Sequence, residues 1–285
     1  MSNARTPDEW RAELDETLSV CVQRANLPVL LPHCAICARY STDNLPFEAL
    51  AALLEVAPAE LRPEFVKSAA KKLDGVTPPM RQQHADAVTL PVLMDSPVWP
   101  LLRSLVIDLT DQRVRDFFDD RRLKKIEEIT LLGFAYGGCK VEPDFADALF
   151  HSRGLTGLRR LSLHSVEQTE ELSRRFWNSP MARRLERIGG VPYFGEPIRK
   201  PLPVSELALN GPALSPLIDP EATPSLRNLS VGVYGDAIPP LLESLERARK
   251  SLERLESLSL FLNDFGGEKT PLLRSIKLPK SVKSL

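Results

Sequence analysis

The chain has 285 residues, of which 43% are hydrophobic and 26% are charged, so it can bury a sizeable core and is not expected to be disordered. Its formal net charge of −1 gives no overall field that would favour nucleic acid or an anionic membrane. Aromatic residues make up only 6%, which argues against a base-stacking platform.

No apolar stretch reaches the ~18 residues of a membrane span. The polar, acidic start is unlike a signal peptide, and four cysteines then indicate free thiols. We therefore predict a cytoplasmic protein.

Residues 1–75 are predicted to be a helical N-terminal region. Thr6-Pro7-Asp8-Glu9 combines a capping hydroxyl, a first-turn proline and a glutamate three residues after the cap, which is typical of a helix start. Apolar residues at helical spacing continue to Pro28. Two further helices are predicted, from Pro46 to about Val56 and from Pro63 to Leu73.

Residues 76–100 differ in character because prolines are frequent there. These are Pro78, Pro79, Pro91, Pro97 and Pro100. We interpret the segment as a transition rather than a regular element, so the first 95 or so residues are expected to contain helices only.

A short apolar unit, L-x-x-L-x-L, recurs in residues 101–285. Its last two apolar residues alternate as in a strand with one buried face, and such units bury a continuous core only when they stack as a parallel sheet. The units begin at Leu102, Ile126, Leu158, Val204, Leu226, Leu255 and Leu273, with a shortened one at Leu185. Between them, residues 145–150, 170–177 and 239–250 have helical apolar spacing.

These units resemble the leucine-rich-repeat family over about residues 98–285. The best match is Leu255-x-x-Leu258-x-Leu260-x-x-Asn263, with the asparagine that in this family hydrogen-bonds the turn after the strand. The other units lack that asparagine, and their intervals of 18 to 32 residues are irregular. The resemblance implies an α/β fold, a solenoid of about eight repeats with a curved parallel sheet, capped by an all-helical N-terminal domain.

In that family, partners usually bind the concave face, to which the strand positions between the leucines point. This surface is small, polar and mixed in charge. Its candidate binding residues are Asp108, Glu128, Thr130, Arg160, Ser162, His164, Arg187, Glu206, Asn210, Asn228, Ser230, Ser257, Ser259, Phe261 and Lys277. For any single residue, the alternative is that it simply lies on the solvated side of a sheet.

The cysteines and histidines allow one candidate metal site. Cys34-x-x-Cys37 has the spacing of half a zinc site, which Cys21 and His33, or His84, could complete. We favour the alternative that these thiols are buried and act as small hydrophobic residues. The sequence therefore predicts no metal and no cofactor.

Catalytic signatures are missing from the sequence. Residues 266–270 carry Glu268 where a phosphate-binding loop requires glycine, and the chain contains no G-x-S-x-G motif. We predict that the protein is not an enzyme.

Basic residues form three clusters along the second half of the chain. They are Arg121, Arg122, Lys124 and Lys125; Arg183, Arg184 and Arg187; and Arg247, Arg249 and Lys250. We interpret them as solvated faces that flank the repeats rather than as an RNA-binding surface.

Residues 45–66 are similar to the opening of an F-box, the helical module that docks on the adaptor of cullin-type ubiquitin ligases. The similarity rests on Leu45-Pro46-x-Glu48-x-Leu50-x-x-Leu53-Leu54, followed by Leu61 and Phe65-Val66. The closing run of that family is absent, with Lys67-Ser68-Ala69 in its place. A plain helical cap is the favoured interpretation, because proline and glutamate suit the first turn of any helix.

The sequence thus predicts a non-enzymatic recognition or scaffold protein that binds a protein partner on the concave face of its repeats. The alternative is a substrate-receptor or adaptor subunit of a protein-modifying or degrading enzyme, with the helices docking the enzyme and the repeats selecting the target. Neither a membrane nor a nucleic acid is expected as a partner. The last repeat is left without a cap, so either the chain has been cut there, or its edge is covered by a partner or, through self-association, by a second copy.

Overall fold

The computed structural model describes residues 5–25, 45–74, 76, 82–133, 138–195, 198–210, 217–234 and 238–263. In this part of the chain, eight strands form one all-parallel sheet, and their order in the sheet follows the chain. The strands are β1 Gln82–Ala85, β2 Ser104–Asp108, β3 Glu128–Leu132, β4 Arg160–His164, β5 Arg187–Gly189, β6 Glu206–Asn210, β7 Asn228–Tyr234 and β8 Ser257–Asn263. The predicted α/β class with a parallel sheet is confirmed.

The helices of the described residues are α1 Pro7–Ala25, α2 Leu45–Val56, α3 Arg62–Lys72, α4 Thr89–Asp95, α5 Pro143–Phe150, α6 Glu170–Trp177, α7 Ile238–Arg247 and α8 Arg249–Leu252. The first three precede β1, and the others lie between strands. Short 3-10 turns lie at Trp99–Leu101, Gln112–Phe117 and Arg121–Lys125. Among the described residues, no helix is both long enough and apolar enough to cross a membrane.

The chain divides into two compact units. The first comprises Met1–Asp108 with Lys125–Ile129, and the second comprises Leu109–Lys124 with Thr130–Leu285.

The three N-terminal helices of the first unit pack against one another. Leu18, Leu54 and Phe65, one from each of α1, α2 and α3, are fully buried. The predicted start of α1 is confirmed, because the Glu9 amide donates to Thr6 Oγ1 at 3.3 Å and the Thr6 amide donates to the Glu9 carboxylate at 2.6 Å. These reciprocal bonds satisfy two amides at the helix start. The Thr6 amide, and then the Thr6 hydroxyl, donate to the Glu9 carboxylate and hold its pKa below the ordinary value.

The proline-rich segment is more regular than the sequence predicts. It contains strand β1, helix α4 and the turn Trp99–Leu101, so the expectation that the first 95 residues hold helices only is wrong. The strand escapes prediction because Gln82-Gln83-His84-Ala85 has no apolar alternation. It is defined by backbone pairing with β2, in which Gln82 lies opposite Ser104.

In the second unit, the predicted apolar positions form the core. The register aligns Leu161, Ile188, Leu207, Leu229 and Leu258 on neighbouring strands, and each is at most 2% exposed. Helices α5, α6 and α7 coincide with the predicted helical stretches to within a few residues. The unit beginning at Leu273 lies outside the described residues.

Aromatic rings fill the space around α5 and α6. Phe150 and Phe176 meet edge to face at 5.3 Å between ring centroids, and Phe176 and Trp177 meet at 4.8 Å. The Trp177 indole donates to the carbonyl oxygen of Pro192 at 2.8 Å. Phe150, Phe176 and Trp177 therefore serve as core, where such pairs add about 0.5–1.5 kcal/mol beyond the burial of their area.

One hydrogen-bond pattern repeats at the start of the strands. The residue at the second position of an L-x-x-L unit is involved. Its carbonyl oxygen accepts hydrogen bonds from two amides at the start of the next strand. Arg159 O accepts from Glu186 and Arg187, and the same double acceptance recurs at the carbonyl oxygens of Arg103, Glu186, Ser205 and Arg227. The strands are therefore offset identically from one pair to the next.

Two arginines occupy equivalent places, each directly before the first leucine of its unit. Arg254 donates to the carbonyl oxygen of Ile218 at 3.0 Å and to Thr223 Oγ1 at 2.9 Å, and it also donates to the carbonyl oxygen of Thr223. In Arg184, Nε and Nη2 are buried without a hydrogen-bond partner among the described residues. The same position is therefore satisfied in one repeat and not in the other.

We expect Arg254→Met to lower stability and Arg184→Met to raise it. The first change leaves buried carbonyl oxygens without donors, and the second removes two unsatisfied donors, each effect being about 1–3 kcal/mol. Urea-induced unfolding followed by circular dichroism measures both. Equal destabilisation by the two variants would contradict this assignment.

Two glycines with positive φ differ in their surroundings and provide a matched test of the turn after β5. A Cβ on Gly190 (φ +67°) would lie 2.0 Å from the carbonyl oxygen of Leu163, whereas one on Gly195 (φ +94°) would meet nothing within 4 Å. We expect Gly195→Ala to cost about 1 kcal/mol for its backbone conformation alone. Gly190→Ala should cost clearly more, above about 2 kcal/mol, because of the clash with the backbone. Similar urea midpoints for the two variants would show that the strands are not in this close contact.

Candidate binding surface

The side of the sheet opposite the leucine core carries the predicted binding positions. Within the second unit they form two aligned rows across β4 to β8. The first row is Arg160, Arg187, Glu206, Asn228 and Ser257, and the second row is Ser162, Gly189, Ala208, Ser230 and Ser259. We call these two rows the open face.

Most of the open face is accessible. All five side chains of the first row are partly exposed, and Ala208, Ser230 and Ser259 of the second row are exposed or partly exposed. His164, at the end of β4, is also partly exposed. The structure thus brings together most of the residues that the repeat pattern singled out.

The first row contains an ion pair between neighbouring strands. Arg187 Nη2 lies 2.6 Å from Glu206 Oε2, and the two side chains are 39% and 37% exposed. A pair so exposed contributes at most about 1 kcal/mol to stability. Its main effect is to hold two charged groups in fixed positions beside Asn228, where a partner can meet them.

The second row of the open face consists of small side chains, so it projects less from the sheet than the first row does. A Cβ on Gly189 would approach Ser162 Oγ to 3.0 Å, so the glycine lets β5 lie close to the serine of β4. Together with Ala208, Ser230 and Ser259, it makes a floor from which the longer side chains of the first row stand out.

The candidate residues of β3 do not lie on an accessible surface. Glu128 and Thr130 are only 1% and 5% exposed, and Ser162 is 8% exposed. In the first unit, Ser104 is buried as well and donates its hydroxyl hydrogen bond to Gln82 Oε1 at 3.3 Å. The expectation that Glu128 and Thr130 face solvent is therefore wrong, because strand alternation shows which side a residue is on but not what covers that side.

The remaining candidates are only partly defined. Asp108 ends β2 and is partly exposed. Asn210 and Phe261 belong to β6 and β8, but their side chains lie outside the described residues. Lys277 lies outside them entirely.

Sequence reasoning missed a row of ion pairs along the start of the strands. Arg159 Nε lies 3.6 Å from Glu186 Oε1, and Arg227 Nη1 lies 2.6 Å from Glu256 Oε1. Within the first unit, Arg103 Nε lies 3.5 Å from Glu127 Oε1. All six residues hold the second position of their L-x-x-L unit. The alternation of arginine and glutamate at that position was the signal that could have revealed the pairs.

The candidate metal site is only partly described. His33, Cys34 and Cys37 lie outside the described residues, while Cys21 is buried in α1 and His84 is exposed on β1. In the described ranges, no group of three His, Cys, Asp or Glu side chains could hold a metal ion. Burial raises the pKa of the Cys21 thiol to about 11, so near neutral pH this group is protonated.

The Cys21 thiol should make stability fall at alkaline pH. Its pKa rises from an ordinary value near 9 to about 11 on folding, so its contribution is complete below about pH 9 and is lost as the pH rises through about 11. We expect urea midpoints to fall more steeply across this window in the natural chain than in Cys21→Ala. Parallel curves would indicate that the thiol is solvated.

Comparisons of the chain with models of protein families, with curated proteins and with solved structures found no match.

Proposed function

We propose that the protein is a leucine-rich-repeat-like solenoid that recognises a protein partner through the open face. Strand order that follows the chain, and a carbonyl pattern that repeats from strand to strand, support stacked repeats, each contacting its neighbours. The observation that carries the function is the open face itself, where aligned polar side chains on five adjacent strands remain accessible.

The composition of the open face favours a protein over a small molecule. Small-molecule sites are usually concave and lined by apolar side chains, whereas this face presents arginine, glutamate, asparagine and serine. Five strands spaced about 4.8 Å apart span about 19 Å. Strands of about five residues run about 17 Å, so the face covers about 300 Å². One side of a standard protein interface covers about 800 Å², so the partner would also contact the loops around the face.

A substrate-receptor or adaptor role is the second candidate, and one feature of α2 favours it. Ala49, Ala52 and Val56 lie at helical spacing and are exposed, which gives a small apolar strip suited to docking on another subunit. The apolar residues of the F-box-like pattern do not belong to this strip. Leu50, Leu54 and Phe65 are instead buried among the N-terminal helices. That burial means that these side chains hold the N-terminal helices together, so docking on another subunit would use the exposed strip instead.

Three matched alanine-to-arginine variants separate these roles. Ala208→Arg places a long cation on the floor of the open face, Ala52→Arg interrupts the strip on α2, and Ala70→Arg, at an exposed site of α3, is the control. After a partner has been identified by affinity capture and purified, titration calorimetry measures its affinity for each variant.

We expect Ala208→Arg to weaken binding at least about tenfold, equivalent to about 1.4 kcal/mol, with Ala70→Arg unchanged. Loss of binding in Ala52→Arg alone would favour the adaptor role instead. Turnover of a substrate by the isolated chain would contradict both candidates.

A further inference from the structure

Two of the basic clusters of the sequence, joined by Arg153, lie on three successive turns of the second unit. The turns are residues 119–124, 151–159 and 179–186, which precede β3, β4 and β5. The Arg153 amide donates to Asp119 Oδ1 at 2.8 Å. A Cβ on Gly154 would lie 2.3 Å from the carbonyl oxygen of Phe118, so the first two turns are in backbone contact.

The third turn continues this stack. The carbonyl oxygen of Arg159 accepts the amides of Glu186 and Arg187. Burial first, and then the positive charge of Arg159, lowers the pKa of Arg184. The second and third turns therefore both carry positive charge where their backbones meet.

Four exposed cations stand on these turns without a carboxylate partner among the described residues. They are Arg121, Lys124, Arg153 and Arg183, and we call them the basic ridge. Two of the acidic groups on these turns are paired with other arginines, since Asp120 Oδ2 lies 2.8 Å from Arg122 Nη2 and Glu186 Oε1 lies 3.6 Å from Arg159 Nε. Asp119 accepts the Arg153 amide and adds a single negative charge beside the four cations. Positive charge on the ridge therefore exceeds what the chain itself neutralises.

We propose that the basic ridge binds an acidic polypeptide segment, one rich in aspartate and glutamate. Three of its four cations are arginines, whose planar guanidinium groups match carboxylates in pairs of hydrogen bonds. The chain uses this pairing repeatedly, with Arg11 on Glu64 and Arg113 on Asp111. This site is separate from the open face and does not depend on the function proposed for that face.

Two other polyanions fit the ridge less well. Single-stranded nucleic acid binds through aromatic side chains between the cations, and these three turns contain none. A membrane surface is recognised by basic residues beside exposed apolar ones, whereas the apolar residues of the turns, such as Leu123, Leu155 and Met181, are buried. A single acidic segment lying across three turns needs neither feature.

Fluorescence anisotropy with a labelled peptide of alternating glutamate and serine tests the proposal on the full chain. The test variant combines Arg121→Glu, Arg153→Glu and Arg183→Glu. The control combines Lys67→Glu, Lys200→Glu and Lys250→Glu, which are exposed and lie outside the ridge, and it changes the net charge by the same amount. A third variant, with lysine at the three arginine positions, keeps the charge.

We expect the Kd for the peptide to rise at least about tenfold in the test variant and to remain within about twofold in the control. The lysine variant should retain most of the binding. Raising the ionic strength from about 50 to about 300 mM should weaken binding to the natural chain, because the interaction is screened.

Equal losses in the test and control variants would overturn the proposal, as would the absence of peptide binding at about 50 mM salt. Tighter binding of a single-stranded oligonucleotide or of phosphatidylserine vesicles, lost in the same test variant, would also overturn it by assigning the ridge to another polyanion. Circular dichroism at each step shows that the variants remain folded.

Discussion

The structure depends on the register between neighbouring parallel strands. Leu161, Ile188, Leu207 and their counterparts bury their side chains only because each strand repeats the offset of the one before it. A slip by one residue would exchange the two faces, placing leucines in water and arginine or glutamate in the core. The doubly accepting carbonyl oxygens at the strand starts oppose such a slip, because the amides they bind would move away together. Core, open face and ion-pair row all follow from this one alignment.

The sequence predicts the parts of the fold that are encoded locally. Six of the strands carry the full alternation of L-x-x-L-x-L, β5 carries the shortened unit at Leu185, and α1 begins where its capping residues indicate. Strand β1 could not be predicted, because Gln82-Gln83-His84 gains its strand conformation from pairing with β2 rather than from its own side chains. The burial of Glu128 and Thr130 was equally hidden, since periodicity assigns a side of the sheet and burial depends on residues distant in sequence.

The candidate binding surface likewise has one part that the sequence predicts and another that it does not. Positions such as Arg160 and Glu206 follow from counting along a strand. Their environment does not: the Arg187–Glu206 ion pair requires that two strands 19 residues apart in sequence lie side by side in one register. The stacked turns of the basic ridge are a further case, because two separate basic clusters and Arg153 come together only through backbone contacts at Gly154 and Arg159. Sequence therefore supplies the chemistry, and topology decides which groups act together.

The ion pairs at the strand starts restrict how such a protein can lengthen. Arginine and glutamate alternate there, as in Arg159 with Glu186 and Arg227 with Glu256, so lengthening the sheet by two units keeps each arginine beside a glutamate, whereas lengthening it by one does not. Copying a single repeat would set two like charges side by side, which disfavours the new junction. Copying a pair preserves the alternation. The uncharged Ser205 interrupts the alternation between Glu186 and Arg227. Among the described strands of the second unit, it marks the one place where a single L-x-x-L unit could be added or removed without setting like charges side by side.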